Sequence, residues 1–149
     1  MKRHHMLAWA LAVSIVIVPL IFSDVVARSG EPDIIVVQHI LIGFKKSVAG
    51  KTIERTKKEA KALAEELFAR AKEGEDFDAL VKEYSDDRHP GIYKVINEGG
   101  PLIPDGIPRK EMITCFGDVA FELEVGEVDM AKYNSMGCSF GWHIIKRIE

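Results

Sequence analysis

Two histidines sit where apolar residues would be expected. His39 lies inside the run Ile34 to Ile42, and His143 inside the run Phe140 to Ile148. An imidazole there can orient neighbours or pass protons near neutral pH. Taken singly, each reads as a satisfied core histidine. Brought together, two imidazoles would stay mostly neutral, one ring nitrogen donating and the other accepting. Asp87 closes Ser85-Asp86-Asp87 and reads as a loop or cap aspartate. Met112 and Phe116 open an apolar stripe whose plain reading is core packing. Cys115 and Cys138 are the only cysteines. Neither stands in a redox or metal spacing, so both are expected as buried small residues, although an exported protein permits a disulfide. The histidines lie far from both cysteines in sequence and no Cys-x-x-Cys occurs, so no metal site is expected.

Those side chains need a frame. Ile34 to Ile42 is almost wholly apolar and β-branched, as befits a central strand covered on both faces. Alternation along it puts His39 on the same face as Ile35, Val37 and Leu41, and puts His143 with Ile145 on its own strand. Thr52 is the expected cap of a helix whose apolar positions are Ala60, Leu63, Ala64, Leu67, Phe68 and Ala71. Glu54 with Lys58 and Glu66 with Arg70 are its expected i,i+4 pairs. Gly74 ends it, and Asp76 caps a second helix with the face Phe77, Leu80, Val81 and Tyr84. Ile92 to Ile96 is a short strand, followed by an irregular stretch marked by Pro101, Pro104, Gly106 and Pro108. Met112 to Leu123 carries a third helical face with a break at Gly117. Glu127 to Tyr133 and Phe140 to Ile148 read as the last two strands. The order β-α-α-β-α-β-β predicts an α+β layer fold.

The chain of 149 residues suffices for one domain. Its N-terminus differs from the rest. Lys2, Arg3, His4 and His5 precede Met6 to Phe22, which carry no charge. That run is short of the roughly 20 apolar residues of a spanning helix. It suits a signal peptide, with cleavage expected after Ala27, or else a retained membrane anchor. The expected organisation is therefore 1–27 as export segment, 28–33 as linker and 34–149 as the domain, with the N-terminal segment contacting membrane or export machinery and the domain extracytoplasmic. A net charge of −3 argues against a nucleic-acid partner.

Six short motifs then occur in order. They are Gln38-His39-Ile40-Leu41-Ile42, Arg55 to Ala60, Asp76-Phe77-Asp78-Ala79-Leu80, Glu83-Tyr84-Ser85-Asp86-Asp87, Phe116-x4-Phe121-x-Leu123 before Val125-Gly126-Glu127-Val128, and Phe140-Gly141-Trp142-His143-Ile144-Ile145. Together they resemble the parvulin family of peptidyl-prolyl cis/trans isomerases from about Val36 to Glu149. The resemblance implies a parvulin (FKBP-like) fold, a four-stranded sheet with helices around it. It implies that His39 and His143 form the family's histidine pair in an orienting role, and that Asp87 holds a position occupied by cysteine in some members, where an aspartate disfavours covalent catalysis. It also implies that Met112, Phe116 and Phe121 belong to the proline pocket, with Ile92 near its aliphatic wall. Ser139, or Cys138, occupies the region where the family places a hydroxyl facing the histidines.

The implied chemistry is modest. Rotation about an X–Pro bond crosses about 18–20 kcal/mol without breaking any bond. It calls for an apolar slot and polar groups that favour the twisted amide, and for no cofactor. The expected partners are proline-containing polypeptides. A phosphate-directed site is not expected, because the Lys45 to Lys51 loop lacks an arginine pair. The alternative to an isomerase is a non-catalytic chaperone or peptide-binding module on the same fold. If Phe116 lines an open slot, its ring should be partly exposed and its truncation milder than that of a core phenylalanine.

Overall fold

The first strand, β1 (Ile34–Ile42), is hydrogen-bonded along both edges, which explains why its residues are apolar on both faces. In the computed structural model, which describes residues 30–149, it is followed by α1 (Lys57–Lys72), α2 (Phe77–Tyr84), β2 (Ile92–Ile96), β3 (Gly106–Pro108), α3 (Thr114–Glu122), β4 (Val128–Ala131) and β5 (Trp142–Arg147). The sheet order is β3-β2-β1-β5-β4, antiparallel except for β2 with β3. The α+β class is as expected from the sequence. The sheet has five strands rather than four, because the irregular stretch contributes β3. A three-residue edge strand ending in Pro108 carries no alternation by which to see it. The expected export segment, 1–27, lies outside the described residues.

Two apolar layers cover the sheet. Ile40 and Ile42 of β1 pack with Ala60, Ala64, Leu67, Phe77, Leu80 and Ile144 beneath α1 and α2. Ile35 and Val37 pack on the other face with Val95, Phe116, Ala120, Phe121 and Ile145 beneath α3. The pleat therefore assigns β1 residues to opposite layers, and places His39 on the α3 side.

Local chemistry sets the helix ends. α1 starts one turn later than Thr52. Thr56 is the cap: its hydroxyl accepts from Glu59 N at 3.2 Å, and the Glu59 carboxylate accepts from Thr56 N at 2.7 Å. This reciprocal box satisfies two helix-end donors where Thr52 could satisfy none. Glu54 thus precedes the helix and reaches Lys45 at 3.8 Å, not Lys58. The Glu66–Arg70 pair forms at 3.5 Å, and Arg70 also bonds Glu75 through two nitrogens at 2.7 Å each. Asp76 caps α2 through Ala79 N. α3 runs unbroken through Gly117. A Cβ there would stand 3.3 Å from Arg109 Cγ, so the glycine makes room for the arginine to cross the helix.

The cysteines correct the sequence expectation. Cys115 on α3 and Cys138 in the β4–β5 loop form a disulfide with Cα atoms 5.8 Å apart. Nothing in a spacing of 23 residues announces the bond; the fold brings α3 over the loop. Closing a loop of that size contributes about 3 kcal/mol in the chain-entropy account. It staples the helix that carries Phe116 to the loop that leads to β5.

Candidate active site

The loop after α2 is pinned by four bonds, two to Leu41 of β1, one to Gly43 just past it and one from Arg55. Asp86 N donates to Leu41 O at 2.8 Å, and Leu41 N donates to Ser85 Oγ at 3.1 Å. Gly43 N donates to Asp86 Oδ2 at 2.7 Å, and Arg55 donates to the same oxygen. Ser85 Oγ also accepts from Asp87 N at 3.2 Å, a local turn that aims the Asp87 side chain. From the other side, His39 N donates to Gly91 O at 3.0 Å. Gly91 has φ +66°, and a Cβ on it would stand 2.7 Å from His39 O. Only glycine lets the loop press so closely on the strand.

The result is a string of four polar groups. Tyr93 Oη donates to Asp87 Oδ2 at 2.6 Å. His39 Nε2 lies 3.0 Å from the same oxygen. His39 Nδ1 faces His143 Nδ1 at 3.4 Å, with the two rings within 13° of parallel. The His39 hydrogen bond holds the Asp87 carboxyl well below the usual carboxylate range, against a smaller opposing effect of burial. An ionised Asp87 only accepts, so His39 donates from Nε2. In that tautomer His39 Nδ1 accepts, and His143 donates from Nδ1. His143 Nε2 is left as a buried atom with no partner among the described residues. Burial, and secondarily His39 beside it, push the His143 pKa down to about 3. Tyr93 is pushed up to about 12, first by burial and then by the carboxylate it donates to, so it remains a donor.

Beside this string opens a groove of about 330 Å³. Its polar end is His39, Asp87, Tyr93 and His143. Its apolar walls are Leu41, Met112, Ile113 and Phe116, with Val48 and Phe140 reaching in from flanking loops. The Phe116 ring meets both imidazoles edge-on, with centroids 5.2 and 5.7 Å away. Phe140 is set by Gly141, whose φ is +150° and whose Cβ would stand 2.1 Å from Ile42 O. An apolar slot next to a carboxylate-anchored imidazole pair can seat a small ring and present a fixed field to an adjacent amide.

The five sequence-selected residues His39, Asp87, His143, Met112 and Phe116 are thus brought together. Three others are not. Phe121 is 4% exposed and packs in the layer under α3, with the Arg109 guanidinium 4.5 Å above its ring. Ile92 is 45% exposed, but the pleat turns it away from the groove and turns Tyr93 inward. Ser139 is exposed and outside the lining, while Cys138 is buried in the disulfide, so neither faces the histidines. Tyr93, Ile113 and Phe140 were missed. Tyr93 was within reach of parity: it pairs across from Val37, on the His39 face of the sheet.

The neutral buried His143 has a pH consequence. Unfolded, it takes up a proton below about 6.5. Folded, it does so only near pH 3. Between these values the unfolded state binds more protons, so stability falls as pH drops through that window. Urea melts at pH 7.5 and 5 should show this loss for the native sequence, and a smaller loss for His143→Gln. Equal losses would place the titration elsewhere.

Comparison with known proteins shows the family. The chain is 34% identical over 111 residues to the chaperone SurA of Chromohalobacter salexigens, covering 74% of this chain and 21% of that one. It is 40% identical over 83 residues to foldase protein PrsA 4 of Bacillus cereus, covering 56% and 26%. The chain therefore matches about a quarter or less of the length of these relatives. The peptidyl-prolyl isomerase Ess1 from Candida albicans shares its fold, with a TM-score of 0.57 and 22% identity over 78% of this chain and 63% of that one. Residues 22–149 match the PPIC-type PPIase domain, and the chain belongs to this family of peptidyl-prolyl cis/trans isomerases.

Proposed function

We propose that this domain rotates X–Pro bonds in exported polypeptides by non-covalent catalysis, with His39, Asp87 and His143 as its polar side and Met112 and Phe116 as its proline seat. The observation that carries the reading is the shared groove: an apolar slot and an anchored imidazole pair within one 330 Å³ space. The proline ring lies against Met112 and Phe116. Its amide then faces a field set by ionised Asp87 and relayed through His39. As the amide twists, resonance is lost and charge returns to nitrogen and leaves the carbonyl oxygen. Fixed dipoles that favour this redistribution lower the barrier, because they need not reorganise during the step. Asp87 accepts two hydrogen bonds on one oxygen and is poorly disposed to act as a nucleophile.

Export of the clients and of the domain is supported by two features. The positive N-terminus before an apolar run has the form of an export signal. The Cys115–Cys138 bond suits an oxidising compartment. Among the described residues no helix is long and apolar enough to cross a membrane. The test is isomerisation of a short X–Pro peptide with and without protein. Acceleration is expected. Suppression of client aggregation without acceleration would instead indicate a peptide-binding chaperone.

A further inference from the structure

We propose that the groove prefers prolines flanked by a basic residue, and that Glu111 sets this preference. The inference rests on the isomerase reading of the same groove.

Glu111 ends the single 3₁₀ turn Arg109–Glu111 directly before Met112, and it lines the groove wall. The lining contains two carboxylates, Asp87 and Glu111, and neither lysine nor arginine. The two carboxylates differ in their surroundings. Asp87 is engaged by two hydrogen-bond donors, Tyr93 at 2.6 Å and His39 at 3.0 Å, on one oxygen. Glu111 is exposed and forms no ion pair among the described residues. Its chain neighbours do not neutralise it. Arg109 is committed to Glu31 at 2.6 Å and Asp118 at 3.2 Å. Lys110 forms no ion pair with Glu111 and lines recesses outside the groove, one with Asn97 and Leu102 and one that reaches Met112 from the far side.

Glu111 is thus the groove carboxylate that no side chain engages, next in sequence to the methionine that seats the ring. Adjacent residues of a bound peptide have Cα atoms about 3.8 Å apart. With the ring against Met112, a side chain flanking the proline comes within reach of the adjacent Glu111 side chain. A lysine or arginine there gains attraction, and a glutamate or phosphorylated residue meets repulsion. At such distances in a solvated groove the difference corresponds to roughly three- to tenfold in kcat/KM.

The experiment measures kcat/KM of the full chain at low salt for acetylated, amidated Ala-X-Pro-Phe and Ala-Pro-X-Phe peptides, where X is Lys, Ala or Glu. Lys should exceed Glu by roughly three- to tenfold in at least one of the two positions. Glu111→Gln should collapse the Lys-to-Glu ratio, and Glu111→Lys should reverse it. Salt of about 1 M, with a Debye length of about 3 Å, should compress it for the native sequence. The readout is the ratio, so a general loss of activity in a variant does not mimic it. Equal rates for Lys and Glu in the native sequence overturn the proposal. So does a ratio unchanged by both substitutions. Turnover of the Ala peptide without charge preference removes this inference alone. No turnover of the Ala peptide removes the isomerase reading as well.

Discussion

Asp87→Ala is expected to lower kcat/KM by about a hundredfold and to destabilise the domain by about 2–4 kcal/mol, because two donors, the buried His39 and the half-buried Tyr93, lose their acceptor together. The Asp87 Oδ2 atom receives Tyr93 at 2.6 Å and His39 at 3.0 Å. Removing it leaves both donors in a half-buried pocket, at about 1–3 kcal/mol for each unsatisfied group. It also frees the tautomer of His39. With no carboxylate to hold the proton on Nε2, His39 can donate from Nδ1, and the bond to His143 then reverses or breaks. Asp87→Asn separates the two effects. Both donors share one oxygen, and an asparagine oxygen in that place can still accept from both, so much of the stability should return. The negative charge does not return, so catalysis should stay low. The wild-type carboxyl is held below its usual range, so its stabilising share is complete above about pH 4 and is lost as pH falls through the folded value. Denaturant melts and peptide isomerisation on the three proteins, at neutral pH, decide the matter. Asp87→Asn with native activity would show that the carboxylate serves only as a hydrogen-bond acceptor.

How much of this could be read beforehand depended on whether the cause was local. β1 was legible because a central strand needs apolar residues on both faces, and Ile34–Ile42 supplies them. The facing of His39 followed from the pleat alone. That His143 would meet it depended on the pairing of β1 with β5, in which Leu41 stands opposite His143. The histidine pair was reached through the ordered motifs of the family, not through either strand alone. Phe121 was misplaced by treating a stripe as one face. Five residues advance a helix by about 140° beyond a full turn, so Phe116 and Phe121 cannot both face the groove. Met112 shares the groove with Phe116 for another reason: it lies before α3 in extended backbone and approaches from the preceding turn. The Thr56 capping box was written locally as Thr-x-x-Glu, and choosing Thr52 overlooked it. The disulfide and Phe140 were not locally written. Both depend on where the β4–β5 loop lands, and a loop without periodicity gives no sign of that.

Phe116→Ala should cost the domain about 3–5 kcal/mol and also reduce kcat/KM by more than tenfold. The expectation of a partly exposed, mildly destabilising pocket ring does not survive the structure. Phe116 is 1% exposed, packed with Val37, Ala120 and Ile145 on one side and edge-on to both histidines on the other. It is wall and core at once, so its truncation cannot tell the two roles apart. Met112 can. It is half-buried, lines the groove and lies at the margin of the same layer. Met112→Ala should cost less than about 2 kcal/mol, below the range of a fully buried methionine. Its loss of kcat/KM should nevertheless approach tenfold if the side chain forms the proposed proline seat. Leu67→Ala is the control. Leu67 is fully buried on the inner face of α1, on the opposite side of the sheet from the groove. It should cost about 2–5 kcal/mol and leave near-native activity in the folded fraction. Melts and isomerisation rates on these three proteins give two axes, stability and catalysis. Leu67→Ala should move along the first, Met112→Ala along the second, and Phe116→Ala along both. If Met112→Ala keeps the native kcat/KM, substrates do not use the apolar wall, and the proline ring must be seated elsewhere in the groove.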